Sequence, residues 1–175
     1  MSVLGIDPGS TGGIAVVYSD RSGKLYESSK VDAEVVDILK KIVQIDKPSI
    51  AIVERVAAFK GQGVVSTFTF GKRFGVIRGA LLALGVPMFD VPAQSWQKAL
   101  GLSQPKGVGV KSEDPKDKKK RLADRRKRQK SLAYELARQL YPGIDSITIE
   151  TADGLLLAEY GLRTLPVSPD SRADC

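Results

Sequence analysis

The sequence predicts an α/β domain with a five-stranded mixed sheet, an antiparallel meander extended by parallel strands, flanked by helices. Three observations carry this. Three short β-rich runs open the chain in close succession, two further apolar runs each follow a segment of helical periodicity, and the last apolar segment is again helical. With 175 residues and 42% hydrophobic content, the chain fills one core and is too short for two comfortable domains. The expected layout is one domain over residues 1–165, with a basic loop and helix inserted at 103–130 and a disordered tail at 166–175.

The elements follow in order. "SVLGIDPG" and "GIAVVYS" are β-branched runs joined by a Gly-rich turn, and "KLYESSKV" completes the meander after the turn "SDRSG". "DAEVVDILKKIVQI" places Val35, Ile38, Leu39 and Ile42 at helical spacing, with Asp32 as the expected N-cap. "IAIVE" is a continuous apolar run ending on a carboxylate, the pattern of a strand buried on both faces. "VVSTFTFGKRFGVIRGALLALG" is long enough for a helix, and Gly71, Gly75 and Gly79 recur every fourth residue on one face. Each glycine costs about 1 kcal/mol against alanine, so close approach of another backbone is expected there, from the chain's own sheet or from a second subunit. "VPMFDVP" is the fifth strand and "AQSWQKALG" a short helix. The Gly- and Pro-containing "LSQPKGVGVKSEDP" is a loop. A basic helix follows, apolar only in its second half at Leu132, Leu136 and Leu140, and "ITIETADGLLLAEYGL" closes the fold. This order is not that of a doubly wound dinucleotide fold; it is that of the ribonuclease-H-like fold.

Composition narrows the chemistry. With no histidine, imidazole can serve neither as base nor as metal ligand, and the single Cys175 cannot build a disulfide framework or a Cys-based zinc site within one chain. Chemistry near neutral pH must rest on carboxylates, lysines or a metal. The net charge of +7 is concentrated: "KDKKKRLADRRKRQK", residues 116–130, holds ten Lys or Arg against two Asp, a local +8, leaving 17 basic and 18 acidic groups elsewhere. A near-neutral body with one cationic segment suits a polyanion such as nucleic acid, although a solvated helix face or a disordered linker has the same composition. No apolar run approaches the roughly 20 residues that span a bilayer, and the first strand begins without a signal segment. No membrane partner is expected, and the expected location is the cytoplasm or nucleoid, or an organelle if a transit peptide was removed.

The opening "GIDPGSTGG" admits two uses: a glycine turn whose amides approach a phosphate, or a strand-ending aspartate that holds a metal. The other carboxylates favour the metal. Asp7 ends the first strand and Glu54 the fourth, which are neighbours in this fold, while Glu150 and Asp153 lie one turn apart on the last helix. Singly, each has a plainer reading: a turn initiator, surface decoration, a helix N-terminal charge. Jointly, four such groups at one edge would repel one another as free ions. Two hard divalent cations such as Mg²⁺ relieve that repulsion and suit phosphodiester hydrolysis.

At these residues the sequence resembles the RuvC-like Holliday junction resolvases, in particular their compact phage and chloroplast branch. "LGIDPGSTGGIAVV" is similar to the family's opening strand and turn, and "IVERVAAFKGQGVVSTFTFGKRFGVIRGALLALGVP" to its second acidic strand and glycine-bearing interface helix. "FDVPAQSWQKALGL" and "ETADGLLLAEYG" are similar to the strand and Trp-containing segment and to the closing acidic helix. The resemblance implies that Asp7, Glu54, Glu150 and Asp153 bind two catalytic Mg²⁺ ions, with Mn²⁺ as a substitute. Asp145 is a second candidate for the place of Glu150, because the penultimate acid can sit further upstream in the compact branch. It also implies a homodimer that cuts two opposed strands of a four-way DNA junction, with no nucleotide cofactor.

Candidate DNA contacts are Lys60, Lys72 and Arg73 near the acidic edge, Lys98, Lys111 and Lys130 as phosphate clamps, and Lys118, Lys119, Lys120, Arg125, Arg126, Lys127 and Arg128 in the cationic segment. Phe59 and Phe68 are candidate wedges against unstacked bases, or core residues; Trp96 reads as structural. Three rivals stay open: a sugar-kinase or actin type of ATPase, which needs a duplicated domain that 175 residues cannot supply, another ribonuclease-H-like nuclease such as an RNA-processing enzyme, and a DNA-binding module that has lost its chemistry.

Overall fold

The computed structural model describes residues 1–9, 11–55, 63–103 and 114–165. Strands β1 (Ser2–Ile6), β2 (Gly13–Tyr18) and β3 (Gly23–Glu27) form the meander; α1 (Asp32–Asp46) leads to β4 (Ile50–Glu54), and α2 (Val64–Ala83) to β5 (Met88–Val91). Helices α3 (Ala93–Ala99), α4 (Pro115–Leu140) and α5 (Ile149–Thr164) complete the chain. The sheet order is β3-β2-β1-β4-β5, with β1 antiparallel to β2 and parallel to β4. This is the five-stranded mixed sheet of the ribonuclease-H-like fold.

Side-chain alternation in the strands divides the core into two layers. Val3, Ala15, Val17 and Ile52 pack with Leu155, Leu156 and Ala158 of α5 and with Ala133 and Ala137 of α4. Leu4, Ile6, Ile14, Val16, Ala51 and Val53 pack with Leu39 and Ile42 of α1 and with Ile77 and Leu81 of α2. Both faces are covered, which is why the central strands read as unbroken apolar runs.

The same alternation aims the acids. Asp7 continues the β1 ladder through its amide, which donates to Gly13 O at 3.0 Å, and by parity it shares the face of Val3 and Gly5. Glu54 shares the face of Ile50 and Ile52, and Ile6 pairs with Val53 in the parallel ladder. The two carboxylates therefore end adjacent strands, at the same end and on the α5 side.

Glycines let α5 settle there. A Cβ on Gly5 would lie 2.0 Å from Gly154 O and 2.4 Å from Ala158 N, and one on Gly154 would lie 2.4 Å from Gly13 O. These are backbone atoms that cannot swing aside, so a side chain at either position would lift α5 off the sheet. Gly5 and Gly13 of the opening motif thus serve helix-on-sheet packing, whereas Gly9 and Gly12 lie against Asp7.

Three local expectations are revised. Asp32 is the first helical residue of α1, not its N-cap; Val31 holds the cap position without a side-chain bond, and the Asp32 carboxylate pairs with Lys72 at 2.8 Å instead. On α4 the fully buried residues are Ala133, Ala137 and Tyr141, with Leu136 and Leu140 packed half-buried beside them as expected, whereas Leu132 is 42% exposed; small residues allow the close approach to α5. Gly71, Gly75 and Gly79 do not face the sheet: a Cβ at any of them meets nothing within 4 Å. The expected tail at 166–175 lies outside the described residues.

Candidate active site

Asp7, Glu54 and Asp153 are electrostatically coupled. Burial, and then the charge of Asp7 and of Asp153, push the Glu54 carboxyl up to about 8, against a hydrogen bond from Trp96 that favours its ionised form. Burial and then Asp7 raise Asp153 to about 7, against the field of Lys130. Asp7 itself is raised by burial, partly offset by the Gly9 amide, Lys130 and Arg73. Its Oδ1 accepts from Gly9 N at 2.9 Å, so the Pro-Gly turn fixes the carboxylate that Glu54 and Asp153 both feel.

A second buried carboxylate, at the opposite end of the sheet, shows what satisfaction looks like. Burial alone would raise Asp46, but Lys24 and the hydroxyls of Tyr18 (2.6 Å) and Tyr26 (2.8 Å) more than reverse this and hold it below its ordinary value. Among the described residues no lysine or hydroxyl is hydrogen-bonded to Asp7, Glu54 or Asp153, only the Gly9 amide to Asp7 and the Trp96 indole to Glu54, and the repulsion persists. An oxygen-only donor set burdened in this way fits a hard divalent cation. Among the described residues no three acids stand close enough to share one ion without adjustment. The coupling is pairwise: Glu54 feels both Asp7 and Asp153, and Asp153 feels Asp7.

The fourth candidate stands apart. Glu150 is exposed in the first turn of α5, whose start is fixed by a capping box between Thr148 and Thr151. It lines an open depression of about 280 Å³ together with Thr11, Glu27, Ser28 and Lys30. Asp145 is exposed and lies near Arg138 of α4.

The cations divide into two groups. Arg73 is only 5% exposed; its Nη2 donates to Ser28 Oγ at 2.6 Å, its Nη1 lies 3.9 Å from Asp32, and its field reaches Asp7. It supports the site from within. Lys72, bound to Asp32, is half exposed. Lys98, Lys118, Lys119, Lys120, Arg125, Arg126, Lys127, Arg128 and Lys130 are exposed, and of these Lys130 bears on both Asp7 and Asp153. Phe68 is 73% exposed on α2. Phe59, Lys60 and Lys111 lie outside the described residues.

Trp96 is the residue that sequence reasoning placed only in the core. It is fully buried, and its Nε1 donates to Glu54 Oε2 at 3.1 Å. An indole N–H seeks a partner when buried, and a strand-ending glutamate ahead of a short Trp-bearing helix is the signal for it. Trp96→Phe is expected to raise the Glu54 midpoint further above its ordinary value, read by ¹³C NMR of the metal-free protein; an unchanged midpoint would remove Trp96 from the site.

Fold and acids together define a class: a ribonuclease-H-like fold in which Asp7 and Glu54 end the adjacent strands β1 and β4, with Asp153 of α5 within their electrostatic reach. Among solved structures the chain is similar to Thermus thermophilus RuvC, at 19% identity and a TM-score of 0.57 over 93% of this chain and 96% of that one. It is also similar to T. thermophilus RuvC in complex with a Holliday junction substrate, at 18% identity and a TM-score of 0.61 over 91% of each. The likeness is one of fold. No protein-family model matches the chain, and no curated protein matches it either.

Proposed function

We propose that this protein is a divalent-metal-dependent endodeoxyribonuclease that resolves four-way DNA junctions as a homodimer. The observation that carries the reading is the Asp7, Glu54 and Asp153 cluster, buried and charge-burdened beside a cationic helix. The RuvC fold, one solved example of which holds a Holliday junction, supports the substrate.

Asp7, Glu54 and Asp153 would hold Mg²⁺, or Mn²⁺ in its place, with Glu150 at the rim as the fourth ligand by resemblance. The chemistry such ions supply is a more acidic attacking water and stabilisation of the departing oxygen. The chain's own groups do the rest. Glu54 and Asp153 must shed protons held at about 8 and 7 in the metal-free site, Trp96 orients Glu54, and Arg73 and Lys130 moderate the negative field that a phosphodiester would meet. A homodimer places two such sites for paired cuts.

The test is incubation of the pure protein with a labelled four-way junction, linear duplex and RNA–DNA hybrid, with and without Mg²⁺. Paired nicks in the junction that require metal are expected. Preferential cutting of the hybrid would turn the reading to an RNA-processing nuclease, and junction binding without cutting under any metal would turn it to an inactive binding module.

A further inference from the structure

The first half of α4 stands clear of the core. The helix is buried on α5 only from Ala133 onward, and Gln129 anchors it where it departs, donating to Leu102 O at 3.1 Å. Before that point every described side chain from Lys116 is exposed except Arg121, which is intermediate. The helix is nonetheless well started: Asp114 caps it, accepting from Lys116 N at 2.7 Å, with proline in the first turn.

Its cations are costly as a helix. Positive charge at a helix N-terminus opposes the macrodipole, and like charges four apart, such as Lys116 with Lys120 and Arg126 with Lys130, repel. They form two opposed arcs. At 100° per residue, Lys116, Lys119, Lys120, Arg126, Lys127 and Lys130 fall on one flank, interrupted only by the small Ala123, while Lys118, Arg121, Arg125 and Arg128 fall on the other, with Asp117 and Asp124 between the two along one edge. The first flank ends on Lys130, the exposed lysine whose field reaches Asp7 and Asp153. From Lys130 to Lys116 it extends about 21 Å at about 1.5 Å per residue, which matches about six base pairs of duplex at roughly 3.4 Å each.

Resting on the junction-nuclease reading, we propose that the Lys116, Lys120 and Lys127 flank is a rail. It tracks the phosphates of one junction arm outward from the cleaved position, holding that arm in line with the acid cluster. The partner is the duplex backbone and not its bases, since ammonium groups act as point charges on phosphate. The other flank contributes to the general field without this registration.

The experiment pairs protein charge with DNA charge. Junctions carry neutral methylphosphonate linkages either within about six nucleotides of the cleaved position or well beyond that reach, and are bound in Ca²⁺ to wild type, to Lys116→Ala/Lys120→Ala/Lys127→Ala and to Lys118→Ala/Arg128→Ala. Alanine favours the helix and all five lysines and arginines are exposed, so helicity by circular dichroism is expected to hold. For wild type the near linkages are expected to weaken binding at least about tenfold at ~0.1 M salt, and the triple variant's salt slope to flatten by about 3 units. In the triple variant the near linkages should cost less than about twofold; distant linkages, and the Lys118/Arg128 variant, should show independent losses. Junction binding and cutting with additive losses everywhere, or coupling on the Lys118/Arg128 flank instead, overturns the rail and leaves the nuclease reading standing. Failure to bind junctions at all overturns both.

Discussion

Asp7→Asn is expected to reduce junction cleavage by at least about 10³-fold, of the order seen when a central charge-stabilising group is lost, while junction binding stays within about threefold. Asp7 is the carboxylate whose charge both Glu54 and Asp153 feel, so the substitution removes the repulsion that each of them shares with it without touching the cationic surface. Single-turnover cleavage with excess enzyme, beside a binding titration in Ca²⁺, separates the two effects. Undiminished cutting would end the metal assignment.

The same variant has a signature independent of activity. In the metal-free protein, folded Glu54 and Asp153 keep protons that the unfolded chain releases near its ordinary values of 4.5 and 3.8. A raised folded pKa contributes stability that is complete below the unfolded value and is lost as pH rises through the folded one. Wild type should therefore weaken from about pH 3.8, where Asp153 begins to matter, to about pH 8, and Mg²⁺ should restore what is lost. The Asp7→Asn change removes a repulsion that both neighbours feel, so the decline should flatten. Thermal melts across that range, with chelator and with Mg²⁺, read it directly.

Gly75→Arg is expected to convert the protein from dimer to monomer and to abolish paired cutting. Val64, Phe68 and Leu82 are 84%, 73% and 66% exposed, and helical geometry puts them in one stripe with Gly71, Gly75 and Gly79. Three glycines forgo about 3 kcal/mol of helix propensity, and nothing in the described chain approaches them. A two-fold pairing of α2 with its copy would use both the bared backbone and the apolar flanks. Since a Cβ at residue 75 meets open space, arginine there leaves the subunit fold intact. A dimer dissociation constant raised at least about 100-fold, near 2.7 kcal/mol, should appear in analytical ultracentrifugation. A wild-type protein that is monomeric at tens of micromolar, or a variant that still dimerises, would refute the pairing.

The fold was legible because both determinants are periodic. Strand runs and helical repeats define the elements, and their order leaves one compact arrangement in which β1 lies between β2 and β4. Parity then ties Asp7 to Val3 and Gly5, and Glu54 to Ile50 and Ile52, so their shared edge follows from strand order alone. The concentration of charge in residues 116–130 is equally a property of the chain.

What the sequence left open depended on how elements rotate and meet. Glu150 and Asp153 are equivalent by spacing, yet only Asp153 joins Asp7 and Glu54. The rotation of α5 is set by backbone contact among Gly5, Gly13 and Gly154, and an i, i+3 interval carries no record of it. Arg73 and Lys72 are neighbours in sequence, but one is buried against Ser28 and the other half exposed. The bond from Trp96 to Glu54 spans 42 residues. Local periodicity fixes which way a side chain points from its own element; what it meets there is a property of the packed whole.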